Sequence, residues 1–337
     1  KGINLISRAL RFLGVPVFSI LNHFALPPKG GTWSDTIGHL GVEYSPEPDR
    51  LIYGRIATGY RSGGFNYDDG NEVANPGNLI KSETNTSYEV GVKGLFNDQR
   101  LLLAAAAFYY DFDDYQVLAT QEIPPEFLTQ FHSSPLTEFT DNISGSSIWG
   151  AEAELEYYVS EQWRLLGFYA YQDSEIGAHS SVVSADPNAE IREWQYMNIS
   201  SGLEVTSFYT LPTILSGNQL PMQPNHKAAL TATYSTELEE FGSLQLGSTL
   251  SYTGSRFPDI GNLGYWKMPA YSRWDLRGTW TSPSSAWTVT AYVQNVLDEI
   301  GLIEVLPEAP RTGRGTAMAT LTEPRQFGVQ VRWRPEF

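Results

Sequence analysis

Five carboxylates on two stretches come closest to a reactive or metal-binding arrangement in this chain. Asp111 and Asp113, like Glu152, Glu154 and Glu156, are spaced two residues apart. On a β-strand this spacing puts side chains on one face. We expect both groups on a polar, hydrated face that lines an interior, which argues against a cation site.

No enzyme motif accompanies these carboxylates. The five histidines show no H-E-x-x-H or similar ligand spacing, and the chain has neither a G-x-S-x-G nucleophile turn nor a P-loop. The lack of cysteine excludes thiolate zinc sites, iron–sulfur clusters and cysteine nucleophiles. We therefore predict that the chain is not an enzyme and that it carries no cofactor and no metal ion.

The composition is poor in charge and rich in aromatic residues. Of 337 residues 18% are charged and 13% aromatic, and the net charge is −16. Nucleic-acid binding needs clustered Lys and Arg that neutralise phosphates, so we expect no nucleic-acid partner. Residues 1–32 contain no acidic residue and look like an atypical N-terminal extension. A signal peptide is the alternative, although no initiating Met or small-residue cleavage site supports it.

Period-two alternation of polar and apolar residues dominates the chain after Trp33. Residues 151–159 alternate apolar side chains with glutamates, and 243–252 alternate Leu or Tyr with Ser, Gln or Thr. This pattern is typical of strands with one apolar and one polar face. Eleven strands are predicted, at 36–44, 51–60, 83–96, 101–118, 142–158, 163–176, 226–236, 243–255, 270–281, 286–296 and 325–335.

The connections between these strands alternate in length. Short turns are predicted at 45–50, 97–100, 159–162, 237–242 and 282–285, and long loops at 61–82, 119–141, 177–225, 256–269 and 297–324. Transmembrane barrels have short periplasmic turns and longer extracellular loops. No apolar stretch reaches the about 18 residues of a membrane helix. The pattern favours an all-β fold, an antiparallel up-and-down transmembrane β-barrel, over a soluble β-sandwich with its usually shorter strands.

The last strand carries an apolar face that ends in an aromatic residue. By alternation this face holds Phe327, Val329, Val331, Trp333 and the terminal Phe337. Such an ending resembles the C-terminal assembly signal of bacterial outer-membrane proteins. The resemblance implies that the barrel assembly machinery is a partner of the chain.

Seven segments together resemble the TonB-dependent outer-membrane receptors, in the group with a Y-R-S-G-G-F-N motif. They are SDTIGHLGVEYSPEPDRLIYGRIATGYRSGGFN (34–66), ETNTSYEVGVKGLF (83–96), LLLAAAAFYYDFDDYQV (101–117), IWGAEAELEYYV (148–159), LPMQPNHKAALTATY (220–234), AYVQNVLDE (291–299) and EPRQFGVQVRWRPEF (323–337). The resemblance implies about 11 of the 22 strands of a plugged barrel. Counting back from the last strand makes 36–44 the twelfth, and the short turn that should follow it is present at 45–50.

The plug domain, the TonB box and about half of the barrel have no counterpart in this sequence. We therefore predict two parts: the atypical extension 1–32, and the C-terminal part of a receptor barrel at 33–337. Eleven strands would leave two unpaired sheet edges, which lipid does not tolerate. We expect a partial chain that is not a competent transporter alone, either a truncated gene product or part of a longer receptor.

The resemblance implies a receptor in the bacterial outer membrane that takes up a scarce solute with energy from TonB, most often a ferric siderophore. The implied partners are outer-membrane lipid, the TonB complex (through a plug and TonB box absent from this chain) and a small-molecule ligand. A receptor for cobalamin, haem or oligosaccharide, a passive porin-like barrel and an outer-membrane enzyme are the alternatives.

Binding of the solute would fall to aromatic and polar residues in the long loops. Packing of the loops against one another is the alternative role for each of them. The candidates are Tyr60, Arg61, Phe65 and Asn66 at the first long loop, Phe127, Phe131 and His132 in the second, and Trp194, Tyr196, Phe208 and Tyr209 in the third.

Overall fold

Eleven strands form one antiparallel sheet in the computed structural model, which describes residues 31–66, 79–122, 135–181, 190–198, 200–308 and 316–334. Each strand pairs with its neighbours in chain order. The predicted antiparallel meander is confirmed. The strands are β1 (His39–Glu47), β2 (Arg50–Arg61), β3 (Glu83–Phe96), β4 (Leu101–Asp113), β5 (Ser146–Tyr158), β6 (Trp163–Glu175), β7 (His226–Glu237), β8 (Ser243–Thr253), β9 (Tyr271–Thr281), β10 (Trp287–Gln294) and β11 (Gln326–Trp333).

The strand register gathers the apolar side chains on one face of the sheet. Leu230 of β7 lies opposite Leu250 of β8, and Leu250 opposite Trp274 of β9. These side chains remain open to the surroundings, since Leu250 is 51% exposed. An exposed apolar face this extensive suits contact with lipid rather than water.

Aromatic pairs lie at both ends of this apolar face. Near the short turns, the rings of Trp287 and Trp333 stack with centroids 6.0 Å apart. Near the long loops, Trp149 meets Tyr171 edge to face at 5.3 Å. Two aromatic belts on either side of an apolar band are typical of a barrel wall that crosses both membrane interfaces.

The first and last strands are the edges of the sheet. Within the described residues, β1 pairs with β2 alone and β11 with β10 alone. Because eleven is an odd number, β1 and β11 run in the same direction, so joining them directly would make a parallel pair. A fully antiparallel closure requires an odd number of further strands between the two edges.

Short and long connections emerge at opposite ends of the strands, as predicted. We call the end with the short turns the turn edge and the end with the long loops the loop edge; both are distinct from the edge strands β1 and β11. Within the described residues, three long loops hold hairpins that alternation did not reveal; the first long loop holds a short bridged pair, and the third holds another in addition to its hairpin. The hairpins are Tyr115–Glu122 with Leu136–Ile143, Ile191–Met197 with Glu204–Thr210, and Leu302–Glu308 with Thr316–Leu321, and the bridged pairs are Gly64–Phe65 with Leu79–Ile80, and Ser180–Ser181 with Thr213–Ile214.

The predicted strands 101–118 and 142–158 are each divided in the structure. The first breaks at Asp114, whose φ is 52°, and the second at Gly145, whose φ is 76°. Both residues adopt a left-handed conformation that ends a strand but leaves the alternation of side chains intact. Among the described residues, no helix is long and apolar enough to cross a membrane.

Candidate functional site

Among the described residues, a small cluster of buried apolar side chains lies under the loop edge. Ile143, Ile176 and Leu220 form it, each no more than 2% exposed. They come from two long loops and from the residue after β6. The long loops are thus packed against one another at their bases, which gives them defined positions above the sheet.

Side-chain amides join the first long loop to the second. Asn66 donates from Nδ2 to the carbonyl oxygen of Thr140 (2.8 Å) and accepts from the Thr140 amide (2.6 Å). Gln116 donates to the carbonyl oxygens of Ser62 and Lys81, both at 3.0 Å. Each amide group both donates and accepts, so a single Asn can serve as a backbone-like partner for a neighbouring loop.

A second amide cluster joins the third long loop to the fourth. Asn262 accepts from the Gln219 amide at 2.7 Å and donates to the Gln219 carbonyl oxygen at 2.9 Å. Gln219 in turn donates to Asp173 at the end of β6 (3.2 Å) and to Asn225 (3.0 Å). Burial raises the pKa of nearby Asp259, and hydrogen bonds from backbone amides oppose that rise.

A buried arginine joins the fourth long loop to the fifth. Arg256 is only 5% exposed, and its Nη2 donates to the carbonyl oxygens of Leu302 (2.7 Å) and Ile303 (2.9 Å). Its guanidinium also lies over the Tyr271 ring, 5.9 Å from the centroid. Arg256 therefore fixes the start of the last hairpin.

The base of that hairpin is held by Asn295, which is 1% exposed. Its Nδ2 donates to the carbonyl oxygens of Glu299 and Glu323, both at 3.0 Å, and its backbone amide donates to Asp275 of β9 at 2.7 Å. The segment AYVQNVLDE thus carries a turn that ties β10 to both ends of its loop.

The candidates at the first long loop occupy the end of β2 and the residues after it. Tyr60 Oη accepts from Ser82 Oγ at 3.5 Å, Arg61 Nη1 lies 3.7 Å from Glu83 Oε2, and the Phe65 ring meets Trp33 edge to face at 5.4 Å. The Arg61 side chain is 63% exposed. Of this group Arg61 offers the most accessible functional group.

The third long loop presents its candidate aromatics on two faces of one hairpin. Residues 192, 194 and 196 lie opposite 209, 207 and 205, so Trp194, Tyr196 and Tyr209 share a face while Phe208 lies on the other. Phe208 is 55% exposed. Partial burial and a hydrogen bond with Glu122 raise the pKa of Tyr209. Its contact with Glu122 links this hairpin to the second long loop.

The candidates Phe127, Phe131 and His132, and the terminal Phe337, lie outside the described residues. The rest of the assembly signal lies together on one face of β11. Phe327, Val329, Val331 and Trp333 lie opposite Val293, Ala291, Val289 and Trp287. All four side chains are exposed on β11, the last strand of the sheet.

The sequence did not single out His179, a buried residue of the third loop. Its side chain is 5% exposed and its Nδ1 lies 3.8 Å from Asp141 Oδ2 of the second loop. Burial lowers the pKa of His179, and the Asp141 charge works against that lowering. A lone histidine in an irregular segment carries no periodic signal, so only the structure identifies this contact.

The two carboxylate groups occupy opposite faces, contrary to the prediction. Asp111 lies opposite Ser147 on the face of Tyr109, whereas Glu152 and Glu154 lie opposite Ala106 and Ala104. Asp111 is on the apolar face because β4 continues beyond its aromatic belt, where that face meets water again. Within the described part of the chain, no three His, Asp or Glu side chains are grouped so that they could hold a metal ion.

Comparison with known proteins assigns this sheet to a family. The profile described as "TonB dependent receptor-like, beta-barrel" matches residues 21–296. A probable TonB-dependent siderophore receptor of Acinetobacter baumannii, PiuA, is 26% identical over 238 residues, which are 70% of this chain and 26% of that protein. The metal-pseudopaline receptor CntO of Pseudomonas aeruginosa is 25% identical over 259 residues, 77% of this chain and 29% of that protein.

A solved structure shares the fold at low sequence identity. The ferric yersiniabactin uptake receptor FyuA of Yersinia pestis superposes with a TM-score of 0.61 at 18% identity, covering 88% of this chain and 37% of that one. The chain thus spans little more than a quarter of the curated relatives it matches.

Proposed function

This chain belongs to the TonB-dependent receptor family, and on that premise we propose that it is the C-terminal wall of a receptor that takes up a scarce solute. The family is one of outer-membrane transport receptors, so the chain is an outer-membrane protein. The observation that carries the proposal is the asymmetry of the sheet. One edge has tight turns, and the other has long loops that are packed and hydrogen-bonded to one another.

Transport by the whole receptor requires parts beyond the wall described above. We infer that the TonB complex acts through a plug and a TonB box contributed outside this chain, and that further strands join the edges β1 and β11. Both edges present unpaired backbone groups, which must be paired in a membrane because hydrocarbon offers them no partner.

A ferric siderophore is the solute that we propose. The relatives PiuA and CntO are named for a siderophore and for metal-pseudopaline. Trp194, Tyr196 and Tyr209 form an aromatic face on a loop hairpin, and Arg61 offers an exposed cation at the first loop. Aromatic rings and cationic groups together suit a large, oxygen-rich and negatively charged metal chelate.

Growth and uptake measurements test this proposal in the organism that carries the gene. We expect that deleting the full receptor gene abolishes growth on at least one ferric siderophore under iron limitation, and that the intact gene restores it. Normal growth of the deletion strain on every chelated iron source would contradict the siderophore assignment.

Paired variants then locate the recognition surface. We expect Trp194→Ala combined with Tyr196→Ala to weaken binding of that siderophore at least about tenfold, equal to about 1.4 kcal/mol. Phe241→Ala is the matched control, because Phe241 is 74% exposed at the turn edge. It should leave uptake unchanged at equal outer-membrane levels. Equal loss in both variants would contradict recognition at the loop edge.

A further inference from the structure

A groove lies in the apolar face of the C-terminal half of the sheet, outside the loop edge. Its volume is about 750 Å³, and it is bordered by residues of β6 to β11. One cross-strand row runs through it from Leu246 to Gly278, Ala291 and Val329. Gly278 and Ala291 are small, so the row is depressed between its larger ends.

The chemistry of the groove suits hydrocarbon. Ser248, Tyr234 and Tyr292 bring hydroxyl-bearing side chains to its border, and the Ser248 hydroxyl already accepts a hydrogen bond from Trp274 Nε1 at 2.9 Å. Arg277 also borders the groove, but its register opposite Gly247 places it in the polar rows of the sheet. A polar solute would lose its hydrogen bonds to water here and gain few in return.

The groove lies close to the turn edge. Leu246 and Gly278 are each the fourth residue from the short-turn ends of β8 and β9. Trp163, the first residue of β6, borders the groove beside Tyr234, with ring centroids 5.1 Å apart. In outer-membrane barrels the short turns are periplasmic and aromatic residues mark the interface. The groove therefore opens to the periplasmic leaflet, which consists of glycerophospholipid.

We propose that this groove binds one acyl chain of a glycerophospholipid of the periplasmic leaflet. A lipid is the expected occupant because the groove is a depression in the face that contacts the membrane. The aromatic residues at its rim lie at the interface, where the headgroup of that lipid would be. The site serves attachment to a defined lipid rather than solute uptake. It depends on the membrane location of the family and not on the identity of the solute.

Photo-crosslinking in a reconstituted membrane tests the site. The full receptor is placed in liposomes that contain phosphatidylethanolamine with a diazirine in the acyl chain, irradiated, and mapped by peptide mass spectrometry. We expect adducts on peptides 228–234, 274–280 and 327–331 to exceed those on the apolar face of β4 and β5 about fivefold. Uniform labelling of the apolar face would overturn the proposal.

Matched variants separate a seated acyl chain from general lipid contact. Ala291→Phe fills the groove and should remove the excess labelling, whereas Ala151→Phe adds the same ring on the apolar face of β5, outside the groove, and should not. Ala232→Phe fills the groove from β7 and provides a second variant if Ala291→Phe is poorly assembled. Excess labelling that survives both groove variants, or protein–protein crosslinks at these peptides, would overturn lipid binding.

Discussion

The turn edge and the loop edge of the same sheet are held in different ways. At the turn edge the contacts are mostly local: Asn97, Asp98 and Gln99 all have φ between 51° and 64°, and the Ser282 hydroxyl accepts a hydrogen bond from the Trp287 amide of the same turn. At the loop edge, side chains bond to the backbone of other loops. Asn66 and Thr140 are 74 residues apart in the chain.

This difference separates the roles of the two edges. A turn needs only a few residues with the right local conformation, so it depends less on distant segments than a long loop does. The loops depend on one another, and each junction fixes the position of loops that carry candidate binding residues. A surface that recognises a solute must be held in a defined geometry, and the loop edge is the one built for this.

The largest effect on the stability of the loop edge is expected from Arg256→Met, which removes the hydrogen bonds to the carbonyl oxygens of Leu302 and Ile303. Hydrogen bonds from a charged group contribute about 1.5–3 kcal/mol each, so we expect the local opening free energy of 302–308 to fall by about 3 kcal/mol. Hydrogen exchange of the full receptor measures it. Arg325→Met is the control, since Arg325 is exposed and should change opening little. Equal effects would contradict the difference in burial.

A smaller effect is expected from Asn295→Ala, which leaves the carbonyl oxygens of Glu299 and Glu323 without this amide donor. A hydrogen bond of this kind contributes about 1 kcal/mol, so we expect a loss of about 2 kcal/mol confined to the last loop. Urea unfolding in detergent, combined with hydrogen exchange, measures it. Unchanged exchange at 296–308 would show that Asn295 does not hold this loop.

The packing of the third long loop around the buried His179 should loosen in acid, because its environment favours the neutral imidazole. Burial lowers the pKa of His179 from its ordinary 6.5 in the folded protein, so the unfolded form binds a proton first as the pH falls. The stabilisation is complete above about pH 6.5 and is lost as the pH drops toward the folded pKa. The protection factors at 176–181, which correct for the slower intrinsic exchange at low pH, should fall between pH 7 and pH 5, and His179→Gln should remove this dependence. An identical pH profile in the variant would exclude His179 as its source.

The smallest effect is expected at the turn edge. Ser285→Gly relieves a left-handed conformation that costs a non-glycine residue about 1 kcal/mol, against a glycine entropy cost of similar size. The unfolding free energy should therefore change by less than about 0.5 kcal/mol. Ser284→Gly, at a neighbouring position that lacks the positive φ, should destabilise more. The reverse order would show that local conformation does not govern this turn.

The sequence alone predicted the eleven-stranded sheet well, because the alternation of polar and apolar residues in each strand is a local signal. The spacing of Glu152, Glu154 and Glu156 shows which face of β5 is polar, and the same alternation elsewhere predicts eleven strands. The hydrogen bonds at the loop edge could not be predicted, because they join segments that are far apart in the chain. Asn66 was predicted to bind solute, and its amide is engaged with Thr140, a contact that no spacing in the sequence signals.

Asp111 shows where alternation misleads. Asp111 lies on the same strand face as Tyr109, as the spacing of two residues requires. A strand that continues past the membrane, however, carries polar residues on its outer face as well. Polarity therefore indicates the lumen only inside the aromatic belts. The contact between His179 and Asp141 depends on the packing of an irregular segment of the third long loop against the hairpin of the second, and nothing in either segment predicts the other.

We infer that the loop edge faces the outside of the cell and the turn edge faces the periplasm. These 337 residues contain no cysteine, so a single introduced cysteine is the only thiol in this part of the receptor. We predict that, in intact cells that express the full receptor, a membrane-impermeant maleimide labels Ser216→Cys at the loop edge. Ser284→Cys at the turn edge should be labelled only after the outer membrane is permeabilised. Labelling of Ser284→Cys but not Ser216→Cys in intact cells would contradict this orientation.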